Sequence, residues 1–234
     1  MKLEVFGDEA AAAQAAAAMI AAEVRAAVKE RDRFVMAVSG GRTPWIMLRD
    51  LFSEQNVPWE NVHIVQVDER VAPAGHPDRN LTHIQESLRE HALIRPEQVH
   101  AMPVESADLE QAAKQYSATL TELAGSPPRL DLVHLGLGPD GHTASLVPGD
   151  PVLQITNSDV ALTGVYQGRR RMTLTYPVIN RARRILWLAT GSEKQEMLGR
   201  LLNGDLSIPA GRISREQAMV IADRAAAGRL AETA

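Results

Sequence analysis

The sequence predicts one doubly wound α/β domain over residues 1–234, with a mostly parallel sheet and helices on both faces. Three observations point there. Apolar runs of strand length at residues 33–38, 62–67, 130–137 and 184–190 are continuous rather than alternating, as strands buried on both faces require. Stretches of helical character separate these runs, the alternation that builds a parallel sheet. No linker, composition shift or internal repeat interrupts the series, and a chain of 234 residues can bury the core of one large domain.

Composition narrows the function. With 45% apolar and 23% charged residues and a formal net charge of −4, the chain has no basic surplus to favour nucleic acid or an anionic membrane as partner. Cysteine is absent, so disulfides, thiolate nucleophiles and Cys-ligated metals are excluded together. The apolar residues 10–22 follow Asp8 and Glu9, are interrupted by Gln14, and fall short of the roughly 20 residues of a membrane span. No basic segment, apolar segment and cleavage site follow one another as in a signal peptide, so a cytoplasmic location is expected.

Taken in order, Asp8 is expected to cap an alanine-rich helix running from Glu9 to about Arg31. The strand at 33–38 ends in Ser39-Gly40-Gly41-Arg42-Thr43-Pro44, before a helix from Trp45 to Phe52. A strand, glycine loop and helix start in succession aim backbone N–H groups and a positive helix end at an anion. No Lys-Ser/Thr follows the glycines, so the loop is not a nucleotide P-loop. The strand at 62–67 leads into Asp68-Glu69-Arg70, a polar Pro-rich loop over 72–80, and a helix to about His91. A short strand is expected at 97–101 and a helix capped by Asp108 to Ala124.

The strand at 130–137 breaks at Gly136-Leu137-Gly138-Pro139 and delivers Asp140 and His142 on a glycine turn. Strand character returns at 160–166 and 172–175, with Gly168-Arg169-Arg170-Arg171 between. The strand at 184–190 closes in Gly191-Ser192-Glu193-Lys194 at a helix start, where a lysine opposes the helix dipole unless an anion sits with it. A final strand at 220–222 precedes an alanine-rich tail.

If the strands are parallel, the loops at Ser39, Asp68, Gly138 and Gly191 share one carboxyl edge and one crevice. One part of it is an anion pocket formed by Gly40 to Thr43, Lys194 and Arg171, suited to a phosphate monoester. The rest holds Asp68, Arg70, Asp140 and His142, which suits proton transfer beside a polar substrate. Of the seven histidines, only His142 combines a strand end, a glycine turn and a nearby carboxylate. His63 and His134 lie within strands and are read as structural. No zincin-type spacing marks a metal site, and Thr143-Ala144-Ser145-Leu146-Val147 lacks the glycines of a nucleophile elbow.

Together these segments resemble the 6-phosphogluconolactonase family. The matching blocks are Ser39 to Pro44, Val67-Asp68-Glu69-Arg70 with Pro77-Asp78-Arg79-Asn80, Leu135 to Leu146, Arg171 to Thr175, and Gly191 to Lys194. They run in family order over nearly the whole chain. One departure is Arg42, where the family usually carries Ser or Thr. The resemblance implies hydrolysis of 6-phospho-D-glucono-1,5-lactone without a cofactor or metal. His142 would be the general base on water, Asp140 and Asp68 would orient it or the water, and Arg70 would stabilise the oxyanion. Gly40, Gly41, Arg42, Thr43, Arg171 and Lys194 would hold the phosphate. The related glucosamine-6-phosphate deaminases share the Asp-Gly-His turn but place a glutamate five residues after the histidine, where this chain has Val147. A sugar-phosphate sensor on the same fold would be expected to carry a DNA-binding segment, and the residues before Phe34 offer one alanine-rich helix.

Overall fold

The computed structural model describes residues 1–88 and 94–232. Among these residues the strands are β1 (Lys2–Phe6), β2 (Phe34–Val38), β3 (Val62–Gln66), β4 (Asp68–Arg70), β5 (Val99–His100), β6 (Leu132–Leu135), β7 (Val160–Leu162), β8 (Arg171–Leu174), β9 (Arg184–Ala189) and β10 (Ala218–Asp223). The helices are α1 (Glu9–Arg31), α2 (Arg42–Phe52), α3 (Asn80–Leu88), α4 (Leu109–Ala124), α5 (Tyr176–Arg181), α6 (Gln195–Leu202) and α7 (Arg224–Ala227). The helix expected to reach His91 is seen to Leu88, and the rest of that expectation lies outside the described residues.

Seven strands form the main sheet in the order β1-β10-β9-β6-β2-β3-β5, and every pairing in it is parallel. The chain moves outward from β2 to β3 and β5 on one side and from β6 to β9 and β10 on the other. The order therefore reverses between β2 and β6, and their following loops part at the carboxyl edge to leave a crevice.

Alternation along each strand sorts the core into two faces. Phe34, Met36 and Val38 of β2, with Leu186 and Leu188 of β9, face a layer built on α1, α2 and Ile84 of α3. Val35, Ala37, Ile185 and Trp187 face the opposite layer, which includes α4, α5 and α6. Asp8 caps α1 by accepting from the Ala11 N–H at 2.8 Å. The helix is long and apolar enough by composition to cross a membrane. Here its Ala12, Ala13, Ala16, Ala17, Ile20 and Val24 are buried, and it lies on α2 and β10. Alanine lets the two helix axes approach closely.

Three features depart from the sequence expectation. Strand β1 takes the sheet edge beside β10, and the short helix α5 follows β8. Asp68-Glu69-Arg70, read as a charged strand end, is itself strand β4 of a second, antiparallel sheet ordered β4-β8-β7. A three-residue polar segment carries no periodicity of its own, and its ladder to β8 creates the strand.

His134, in mid-strand β6, is fully buried, and burial pushes its pKa down to about 4. Its Nδ1 accepts from the Ser39 N–H at 3.3 Å, so the neutral ring ties β6 to the end of β2. On β3, His63 Nδ1 lies 3.1 Å from His100 Nε2 of β5, and burial lowers both pKa values. His63 and His134 thus serve the sheet.

A histidine whose folded pKa lies below its unfolded value near 6.5 binds protons in the unfolded chain first, so stability falls as pH drops from that value toward 4. Folding stability is expected to fall by about 2 kcal/mol from His134 alone between about pH 7 and pH 5. His134→Asn, which keeps an acceptor but does not titrate, should remove that part of the slope in urea unfolding at the two pH values.

Candidate functional site

The loop after β6 is held as a closed turn. The Gly138 N–H donates to the His142 carbonyl at 2.8 Å and the Gly141 N–H to the Gly138 carbonyl at 3.1 Å. Thr143 Oγ1 donates to the Gly136 carbonyl at 2.9 Å, tying the exit of the turn to its entry. Asp140 Oδ1 accepts from the His142 backbone N–H at 3.1 Å and lies 2.5 Å from His142 Nδ1. A Cβ on Gly138 would run into the imidazole ring, so the glycine is what admits the ring. No α-helix opens on the turn; the next element is a single 3-10 turn at Pro151–Gln154.

Burial raises the Asp140 pKa, but the backbone and ring donors of His142 outweigh it, and the carboxyl lies below its ordinary value. An ionised Asp140 accepts, so in the neutral ring the proton belongs on Nδ1 and the lone pair on Nε2. Nε2 has no protein partner among the described residues.

The second sheet supplies the opposite wall. Asp68 pairs with Thr173, Glu69 with Met172 and Arg70 with Arg171 across the β4–β8 ladder. Two arginines facing each other across an antiparallel pair repel, and Arg171 is buried as well. Burial, with Arg70 next, lowers the Arg171 pKa. Asp68 Oδ2 lies 4.0 Å from Arg171 Nη1 and accepts from Ser145 Oγ at 2.5 Å. Asn80 donates to the Asp68 carbonyl at 2.8 Å and accepts from the Arg70 guanidinium. Glu69 points away from the crevice and is fully buried. Its carboxylate accepts from the N–H groups of Arg70, Asn80 and Leu81 and from Gln66 Nε2, and pairs with Arg79 at 3.1 Å.

The third wall is the loop after β2. A Cβ on Gly40 would collide with the Asn80 side chain, so that glycine lets the loop close onto β4 and α3. Ser39, Gly40, Asp68, Arg70, Asn80, His142, Arg171 and Lys194 line one cavity of about 200 Å³. Three cations there oppose the carboxylates of Asp68 and Asp140, and the surplus charge of buried Arg171 favours an anionic occupant. Among the described residues no group of three or more His, Asp or Glu converges as a metal-ligand set.

The structure thus gathers His142, Asp68, Arg70, Gly40, Arg171 and Lys194 in one cavity, with Asp140 behind His142. Arg42 is set apart. Its side chain is 83% exposed, and Glu9 binds it in a fork at 3.0 and 2.7 Å. Thr43 Oγ1 also donates to Glu9, at 2.6 Å, and lies 2.6 Å from Thr190 Oγ1. Gly41, Arg42 and Thr43 line a neighbouring recess of about 470 Å³ that shares Gly40 and Lys194 with the first. Asp68 makes no hydrogen bond to the imidazole, since Ser145 and Asn80 occupy its oxygens.

Sequence reasoning assigned no role to Glu69, Asn80 or Ser145, although each falls within a matching block. The offset of Glu69 from Asp68 and Arg70 was hidden, because it exists only once the segment pairs with β8 as a strand. Ser145 is a buried hydrogen-bond donor to Asp68, consistent with its rejection as a nucleophile.

A family model described as glucosamine-6-phosphate isomerases/6-phosphogluconolactonase matches residues 7–222. A 6-phosphogluconolactonase of Synechocystis is 37% identical over 186 residues, covering 78% of this chain and 77% of the relative. One from Mycobacterium tuberculosis is 34% identical over 241 residues, covering 97% and 98%. The solved structure of a 6-phosphogluconolactonase from Trypanosoma brucei superposes with a TM-score of 0.87 at 26% identity, covering 98% of each chain.

Glu69→Ala would take from buried Arg79 its buried counter-charge and strand the Asn80 and Leu81 N–H donors, which that one carboxylate accepts. A loss of about 3–5 kcal/mol in unfolding free energy is expected in chemical denaturation. Glu105→Ala, which removes the exposed partner of Arg79, should cost about 1 kcal/mol or less.

Proposed function

The chain belongs to the glucosamine-6-phosphate isomerase/6-phosphogluconolactonase family, and from that premise we propose that it hydrolyses 6-phospho-D-glucono-1,5-lactone to 6-phospho-D-gluconate. The observation that carries the reading is the Asp140–His142 pair, 2.5 Å apart, opening on a cavity that also holds Arg70, Arg171 and Lys194. A general base and an anion-binding wall in one small cavity suit an ester that carries a phosphate.

In this reading Arg171 and Lys194, with the backbone at Gly40, hold the 6-phosphate, Arg as a planar fork and Lys as a point charge. Arg42 and Thr43 act on the loop through Glu9. His142 Nε2 removes a proton from water as its oxygen bonds to C1 of the lactone. Charge develops on the carbonyl oxygen, and Arg70, held by Asn80, stabilises it. Collapse of the tetrahedral intermediate breaks the bond from C1 to the ring oxygen, and His142 returns its proton to that oxygen. The product is the open-chain acid. Asp140 keeps Nδ1 protonated throughout and stabilises the imidazolium that forms between the two steps. Asp68, fixed by Ser145 and Asn80, balances the arginines and polarises the water side of the cavity.

The deaminase reading of the family requires a third group in the ring-opening relay. At the position five residues after His142 the chain has Val147, which is buried and apolar. Such a side chain neither accepts nor donates a proton.

His142→Ala is expected to lower kcat about 10²–10⁴-fold on freshly generated lactone, measured as acid release above spontaneous hydrolysis. Near wild-type turnover in that variant would remove His142 from the reaction. Arg171→Ala should raise KM more than it lowers kcat. Glucosamine 6-phosphate should release no ammonia above background, and release at a rate rivalling lactone hydrolysis would overturn the substrate assignment.

A further inference from the structure

Tyr166 touches three of the side chains described above, Asp140, His142 and Arg171. Its hydroxyl donates to Asp140 Oδ2 at 3.2 Å, the oxygen that His142 does not use. Its ring meets the imidazole edge to face, with centroids 5.6 Å apart and planes at 66°. The Arg171 guanidinium carbon lies 5.0 Å from the centre of the same ring.

The hairpin between β7 and β8 fixes it there. Tyr166 and Arg169 exchange backbone hydrogen bonds at 2.9 and 3.2 Å around Gln167 and Gly168. Their φ values of 50° and 78° match the tight turn that fits the twist of paired strands. The tip is anchored on both sides, by Arg171 Nη2 on Gln167 Oε1 at 3.1 Å and by Arg169 on Asp78 at 2.8 Å.

The His142 and Asp140 side chains are 20% and 37% exposed, so water competes for the carboxylate. An ionised carboxylate with one oxygen unheld can rotate, and the imidazole it orients can then turn or change tautomer. We propose that Tyr166 is a positioning residue that holds Asp140 and the face of the His142 ring, and couples both to Arg171. It acts through those side chains rather than on the reacting atoms. Burial and the adjacent Asp140 carboxylate raise the Tyr166 pKa, which keeps the hydroxyl a donor into alkaline solution. The kinetic part of this inference rests on the lactonase reading.

Tyr166→Phe keeps the ring contacts and removes only the donor. It should lower kcat about 3–10-fold with KM within about twofold. The acid limb of the kcat profile should move to lower pH, because an Asp140 carboxylate no longer held against Nδ1 stabilises the imidazolium less. Tyr166→Leu, which also removes the platform for Arg171, should lower kcat further and raise KM. Nitrogen NMR of the labelled histidine should show one Nδ1-protonated tautomer in the wild type and a mixture in the Phe variant. That spectrum needs no substrate. Absence of lactone turnover in the wild type would overturn the proposed function and leave the spectral comparison to decide on Tyr166. A Phe variant with wild-type kcat, pH profile and tautomer would overturn the positioning role.

Discussion

The site depends on the burial of one carboxylate, that of Glu69. A charge removed from water must be compensated at once, and here backbone N–H groups from two elements, Gln66 and Arg79 converge on it. Those donors come from β4 itself and from the first turn of α3, so the carboxylate caps that helix from outside while fixing the strand. Because side chains alternate along a strand, turning Glu69 inward turns Asp68 and Arg70 outward to the crevice. The three charged residues are thus one device, with its structural member facing the core and its chemical members facing the cavity.

The parallel sheet supplies the rest by position rather than by contact. Its order reverses between β2 and β6, and the loops that part there carry the glycines and the Asp140–His142 turn. Two of those glycines are required by what comes close to them. Gly138 makes room for an imidazole and Gly40 for the Asn80 amide, which in turn holds Arg70. Exchange of either hydrogen for a methyl group would push on a functional side chain from behind. Second-sheet strand β8 then brings Arg171 into register with Arg70 from more than a hundred residues along the chain.

What could be read in the sequence follows the range of the forces involved. The four long apolar runs each became a parallel strand, because a run buried on both faces carries its signal locally. His142 was legible for the same reason, as its carboxylate partner lies two residues away. Strand β4 was not, since three polar residues become a strand only through a ladder to β8. The setting of Arg42 was hidden too, because its partner Glu9 sits 33 residues earlier at the start of α1. Tyr166 gave no signal at all. It is an ordinary residue in a polar hairpin until the turn at Gln167 and Gly168 swings it over the His142 ring.

The facing arginines work against stability, and that makes them informative. Arg70 and Arg171 face each other across a ladder, one of them buried, with Asp68 4.0 Å from the nearer guanidinium nitrogen and already engaged by Ser145. A core selected for stability alone would place an apolar or oppositely charged residue at one of these positions. Retaining both cations leaves a positive surplus on the wall of the cavity that faces His142. An anion placed between the two guanidinium groups would offset that surplus. The stability given up by the arginine pair is therefore lost at the one wall where an anion could recover it, which is why the second sheet belongs to the cavity as much as to the core.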